Sequence, residues 1–160
     1  RKMNKYFFKK YQIINIAIFS LIAIFFILDR LLKKISLHDQ AQREIFGSVF
    51  KFSFTANKYI AFSLPIGGLF LIILVGGILL FFLFYLIFLF YKKRYKEFFG
   101  FLAVFLGALS NFIDRIVYSF VVDYFDLIYF TVFNLADVLI FLGSIFLIYF
   151  YFKDEINKKL

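Results

Sequence analysis

Four long apolar runs, at roughly 11–28, 66–91, 98–117 and 136–152, limit what this chain can fold into more than any other feature. At about 1.5 Å of rise per residue, a helix of about 20 residues crosses a hydrocarbon core of roughly 30 Å. Inside lipid every backbone polar group must be paired within the structure, and continuous runs of this length do that as helices. Composition agrees with the runs. Hydrophobic residues make up 64% of the 160, Phe occurs 29 times and Pro once, and the mean hydropathy is +0.90, too apolar for an ordinary soluble domain. The expected fold class is an all-α membrane protein forming one domain over residues 1–160. It has four transmembrane helices and a small outward-facing β-containing segment, roughly 30–65, between the first and second. The first run ends at Asp29-Arg30 without small residues at a cleavage site, and three more runs follow, so it is expected to be retained as a span.

Orientation follows from the basic residues. Arg1, Lys2, Lys5, Lys9 and Lys10 precede the first run, Lys92, Lys93, Arg94 and Lys96 separate the second from the third, and Lys153, Lys158 and Lys159 close the fourth. Four spans put all three clusters on one side, which the positive-inside rule makes cytoplasmic. Both termini are therefore expected inside, with two connections outside. The net charge of +9 is accounted for by this topology, and nucleic acid is not an expected partner because the basic residues flank spans instead of lining a groove. With no Cys there is no disulfide and no thiol chemistry. In the longer outer connection, Phe46, Ser48, Phe50, Phe52 and Phe54 alternate with Gly47, Val49, Lys51, Ser53 and Thr55, which predicts a strand with one aromatic face. The preceding polar region, 36–44, reads as a turn or short surface helix.

Topology brings polar residues of all four spans to the outer edge. The first run ends at Asp29, with Lys33 four residues on and on the same helical face. Asn57, Ala61, Phe62 and Ser63 precede the second. The third ends near Asn111, Asp114 and Arg115, and the fourth begins with Phe133-Asn134-Leu135-Ala136-Asp137. Asp123 lies between the last two. Taken singly, each has a plainer reading. Asp29 with Lys33 is an interfacial helix pair, Asn134 a helix cap with Asp137 a favourable first-turn acid, and Asp114-Arg115 a charge pair. Gly107 with Ala103, and Gly76-Gly77, read as close helix packing, and His38 as a solvated loop residue. Their joint occurrence at one face is what these readings leave unexplained, because carboxylates at a membrane edge are costly.

The inventory restricts the chemistry. One distant His and no Cys argue against a zinc site, and the same His leaves a Ser-His-Asp triad without its base. A Ser-Lys pair from Ser63 and Lys33 stays open, with nothing in their spacing to favour it. Two carboxylates remain. When two share a confined site, mutual repulsion holds one proton on the pair, so that one can activate water while the other protonates a carbonyl. Asp123 and Asp137 are the best-placed pair for this aspartic peptidase chemistry.

At these residues the chain resembles lipoprotein signal peptidase (signal peptidase II), a family of bacterial membrane aspartyl endopeptidases. The first span ends in Leu28-Asp29-Arg30-Leu31-Leu32-Lys33, which looks like the family's D-x-x-x-K. Asn57-Lys58-Tyr59-Ile60-Ala61-Phe62-Ser63 resembles its N-x-G-x-A-F-S, and Gly107-Ala108-Leu109-Ser110-Asn111-Phe112-Ile113-Asp114-Arg115 its G-A-x-G-N-x-x-D-R. Val121-Val122-Asp123 and Phe133-Asn134-Leu135-Ala136-Asp137 resemble the two blocks that carry the catalytic aspartates. The chain departs from the pattern where Tyr59, Ser110 and Ser119 replace glycines and where Leu32 stands in place of a common Thr.

The resemblance implies an enzyme of the bacterial cytoplasmic (inner) membrane that cuts diacylglyceryl-modified prolipoproteins just before the lipidated cysteine, with its active site at the outer face. It implies Asp123 and Asp137 as the catalytic pair, and Asn57, Asn111, Asn134 and Arg115 as residues positioning the pair or the substrate backbone. Asp29 and Lys33 would shape the outer rim, and Asp114 would orient Arg115. The expected partners are the prolipoprotein and membrane lipid. No metal or organic cofactor is called for, and one four-span unit suffices, so a monomer is expected. The competing reading is a non-enzymatic four-span protein passing protons or ions, which would place polar residues through the bilayer depth.

Overall fold

The computed structural model describes residues 5–39, 42–58 and 68–159. Four helices carry the architecture: α1 (Lys5–His38), α2 (Gly68–Tyr91), α3 (Tyr95–Tyr118) and α4 (Leu135–Lys159). All four are long and apolar enough to cross a membrane, and each overlaps a predicted span. Their outward faces are apolar: Ile16 and Phe19 on α1, Phe81 and Phe84 on α2, and Phe141 and Tyr149 on α4 are all exposed. Such a surface suits lipid, where the bilayer covers what water would reject. A core of Ile22, Leu86, Phe99, Leu102, Ala103 and Leu139 joins the four helices.

Close approach of α3 and α4 depends on glycine. A Cβ on Gly107 would lie 2.4 Å from the Ala136 carbonyl oxygen, and one on Gly143 would lie 2.8 Å from the Gly100 carbonyl oxygen. This is the small-residue packing expected of Gly107 and Ala103. The paired glycines of α2 divide: Gly76 packs against the Phe112 ring of α3, whereas Gly77 faces nothing within 4 Å, so packing does not account for it.

Helix α1 continues well past residue 28, because its Asp29 and Lys33 are paired within the fold. The polar 36–44 region divides between the end of α1 and the start of a strand. A single strand across 46–55 does not form. Gly47, at φ 53°, turns the chain and splits the region into β1 (Arg43–Phe46) and β2 (Phe50–Asn57), an antiparallel pair. The shorter outer connection supplies two further strands that sequence reasoning does not anticipate, β3 (Val121–Leu127) and β4 (Val132–Phe133). Its Val-Val and Tyr-Phe pairs are good strand formers, but Asp123 and Asp126 among them obscure the pattern. The result is one antiparallel sheet in the order β1-β2-β3-β4.

The β2–β3 pairing is irregular at one point. Phe52 pairs with Phe125, but Thr55 pairs with Asp123 and Asn57 with Val121, so β2 carries one extra residue between Phe52 and Thr55. Since side chains alternate along a strand, a single inserted residue exchanges the two faces. Asn57 thereby shares the face of Asp123; without the bulge, Phe54 and Ala56 would.

Candidate active site

The amino end of α4 is the organising feature. A helix begins with N–H groups that lack intrahelical acceptors. Asn134 caps this one: its Oδ1 accepts the Asp137 N–H at 2.9 Å, while the Asp137 carboxylate reaches back to the Asn134 N–H at 3.2 Å. This is a reciprocal capping box with Asp as its acid, and it fixes where the Asp137 side chain points. The two N–H groups in between are satisfied from elsewhere in the fold. Leu135 N–H donates to the Tyr124 hydroxyl at 2.9 Å and Ala136 N–H to Asp29 at 3.1 Å.

Asp123 reaches the same place from β3. Its Oδ1 accepts from the Asn134 amide at 2.6 Å and its Oδ2 from the Asn57 amide at 2.9 Å. Asn134 therefore touches both carboxylates. It is fully buried, as Asp123 nearly is, while Asp137 keeps partial exposure. Burial, followed by the nearby negative charge of Asp137, pushes the Asp123 carboxyl up to about 7, against the opposing hydrogen bonds from Asn57 and Asn134.

Asn111 of α3 connects this pair to a buried ionic cluster. Its amide donates to Asp137 at 2.8 Å, and its carbonyl oxygen accepts from Lys33 at 2.7 Å and Asn134 at 3.1 Å. A cation on the carbonyl side polarises the amide and strengthens its hydrogen bond to Asp137. Lys33 also pairs with Asp29 at 3.2 Å and Asp114 at 2.8 Å, and Arg30 reaches Asp114 from the cluster's edge. Ser110 donates to Asp29 at 2.5 Å, and Asp114 accepts the Val122 N–H of β3 at 3.2 Å. Each buried charge of the cluster thus has a partner of opposite sign, which a buried ion needs.

All nine sequence candidates gather at one end of the helices, with some roles redistributed. Asp29 and Lys33 are 0% and 1% exposed, so they form an internal strut and not a rim. Asp114 does not serve chiefly to orient Arg115: consecutive helical residues point about 100° apart, and the Asp114 carboxylate goes to Lys33, Arg30 and the Val122 N–H. Arg115 extends toward the Asn111 carbonyl oxygen at 3.5 Å and feels the charges of Asp123, Asp137 and Asp114. Ser63, Ala61, Phe62 and Tyr59 lie outside the described residues. Lys33 Nζ is already engaged by Asp29, Asp114 and Asn111. His38 is exposed near the end of α1, bonded to the Lys34 carbonyl oxygen. Among the described residues no group of three or more His and acidic side chains is arranged to hold a metal ion.

Sequence reasoning misses Tyr124, Arg30 and Ser110 as members of the network. Tyr124 reads as one more core aromatic in a chain with 11 Tyr and 29 Phe. Ser110 stands out in sequence only as a departure from glycine; its hydroxyl, which donates to Asp29 and accepts from Lys33 and Arg30, is what the substitution adds.

A family model described as signal peptidase (SPase) II matches residues 21–153. A lipoprotein signal peptidase of Clostridioides difficile is 39% identical over 130 residues, covering 77% of this chain and 84% of that protein. One from Caldicellulosiruptor bescii is 36% identical over 116 residues, covering 72% of this chain and 75% of the relative. A solved bacterial membrane enzyme, determined by the in meso method at 2.3 Å resolution, superposes with a TM-score of 0.76 at 26% identity, over 89% of this chain and 91% of its own.

Proposed function

This chain belongs to the signal peptidase II family, and we propose that Asp123 and Asp137 are its catalytic dyad. Membership makes it a multi-pass membrane enzyme, an aspartic endopeptidase that removes signal peptides from lipoproteins. The observation that carries the dyad is Asn134, whose amide holds Asp123 while its backbone N–H and Oδ1 hold Asp137.

In this reading the substrate is a prolipoprotein already bearing diacylglycerol on the cysteine after the scissile bond. The dyad shares one proton. The ionised carboxylate takes a proton from a water that attacks the carbonyl carbon before that cysteine, and the protonated one donates to the carbonyl oxygen. Collapse of the tetrahedral intermediate breaks the C–N bond as a proton passes to the departing cysteine amine. Asn57, Asn111 and Asn134 fix the carboxylates, and Arg115 lends positive charge to the side where negative charge develops. Asp29, Lys33 and Asp114 support the dyad from behind.

The site stands at the outer face of a bacterial cytoplasmic membrane, with both termini inside, as the basic clusters argue. Exposed Phe46, Tyr129 and Phe130 at the sheet's turns suit contact with the membrane surface. Polar side chains gathered at one edge, instead of along the bilayer depth, favour hydrolysis over ion passage. One four-span unit can hold the whole site, and we take a monomer as the working unit.

The test is cleavage of a diacylglyceryl-modified prolipoprotein by the purified protein in detergent. Asp123→Asn and Asp137→Asn should each lower kcat at least about a thousandfold while remaining folded. Cleavage surviving either substitution would discard the two-aspartate mechanism.

A further inference from the structure

We infer that Tyr124 is a positioning residue for the reaction: its hydroxyl, together with Asp29, clamps the first turn of α4 to β3 and so sets where Asp137 stands relative to Asp123. The inference rests on reading Asp123 and Asp137 as the catalytic pair.

Neighbouring residues on a strand point to opposite faces. Asp123 faces Asn57 and Asn134, whereas Tyr124 turns away, packs on Phe52 and Phe125, and is completely buried. Its hydroxyl donates to Asp29 Oδ1 at 2.9 Å and accepts the Leu135 N–H at 2.9 Å. The same Asp29 oxygen accepts the Ala136 N–H at 3.1 Å. The two amides directly before Asp137 therefore end on a hydroxyl from β3 and a carboxylate from α1. Asn134 caps the Asp137 N–H but not these two, so the local sequence alone leaves the first turn half-anchored. The other Asp29 oxygen is taken by Ser110 at 2.5 Å and Lys33 at 3.2 Å, which prevents the carboxylate from rotating away from α4. Burial and the charge of Asp29 both raise the tyrosine's proton affinity, so the hydroxyl stays protonated and able to donate.

A buried tyrosine normally finds some partner for its hydroxyl, and removing it then costs stability alone. Here one partner is the Leu135 N–H, two residues before Asp137, and the other is Asp29, which itself holds the Ala136 N–H, so slippage of that turn moves the carboxylate itself. A misplacement of about 1 Å can cost about a hundredfold in rate. Slippage would also alter the electrostatics of the dyad. The charged groups that act on Asp123 are Asp137 on α4, Lys33 on α1 and Arg115 on α3, while β2 contributes the neutral Asn57. Of these, Asp137 is the one that the clamp controls directly.

Steady-state cleavage of a diacylglyceryl-modified prolipoprotein by Tyr124→Phe, followed across pH, tests this. The expected result is a fall in kcat of about tenfold or more, with KM within about twofold. The alkaline limb of the kcat profile should also move to lower pH, since Asp123 loses part of the repulsion that holds its proton. An unchanged kcat, an effect confined to KM, or a loss proportional to unfolded protein with an unmoved limb would each overturn the inference. Should Tyr124→Phe not fold, Ser110→Ala decides. It removes the Ser110 hydrogen bond from the other Asp29 oxygen, leaving Lys33 alone to hold it, and should shift the limb in the same direction; an unmoved limb overturns the proposal. Failure of the dyad itself reads out separately, as activity surviving in Asp123→Asn or Asp137→Asn.

Discussion

A carboxyl group pushed up to about 7 makes Asp123 a titrating contributor to stability and, in the proposed dyad, to activity. Its affinity for the proton is raised above the ordinary carboxylate value of about 4. A raised carboxyl contributes its stabilisation in full below the unfolded value, and the last of it is lost as pH rises through the folded one. Above about 7, Asp123 carries its charge beside the Asp137 side chain. The pH–rate profile should accordingly show an alkaline limb near 7. Thermal stability in detergent should decline from about pH 4 to about 7 and level off above, and Asp123→Asn, which cannot titrate, should lack that component. A parent whose stability follows the same course as Asp123→Asn between about pH 5 and 7 would contradict this account.

The two aspartates were legible in the sequence because each stands in a short polar block beside an apolar run. Asn134, three residues before Asp137, announced a helix start. What the sequence concealed was partnership at a distance. Tyr124 and Ser110 matter through hydrogen bonds to Asp29, 95 and 81 residues away, and no local spacing encodes such pairs.

Among the elements, the α3–α4 contact transmits most to the site, because the Gly107 approach falls on Ala136, the residue before Asp137. Gly107→Ala puts a methyl 2.4 Å from a backbone carbonyl oxygen that has no flexible end to yield. Overpacking of this kind costs about 1–3 kcal/mol. It should also displace Asp137, so activity ought to fall further than the folded fraction does. Gly77→Ala, pointing into open space on α2, should leave activity intact and gain up to about 1 kcal/mol of helix propensity. Thermal unfolding and cleavage rates on the two variants give the comparison; equal losses would show that the seam plays no special part. The helices were legible because their apolar runs are long and uninterrupted. The sheet was only half legible. The aromatic alternation pointed to β2, but the bulge that delivers Asn57 to Asp123 is a property of pairing, invisible until the partner strand is known.

For the whole molecule, the positive-inside rule applied to the basic clusters predicts which side of the membrane each end faces. The chain has no cysteine, so a single one can be introduced as a reporter. An impermeant maleimide added to intact cells should label a cysteine placed at Glu44, exposed on β1, and should miss one placed at Lys92, exposed in the turn between α2 and α3. The reverse pattern would put the site on the cytoplasmic side and remove the topological basis of the proposed function.

The capping box at the start of α4 also bears on when the enzyme becomes active during its own synthesis. Asp123 is translated before the helix that carries Asp137. Until that helix inserts, Asp123 lacks its fellow carboxylate, Asn111 has no acid to hold, and Asp29 has no N–H groups to receive. The proposed dyad, split between β3 and α4, is therefore incomplete until the fourth helix is made and seated.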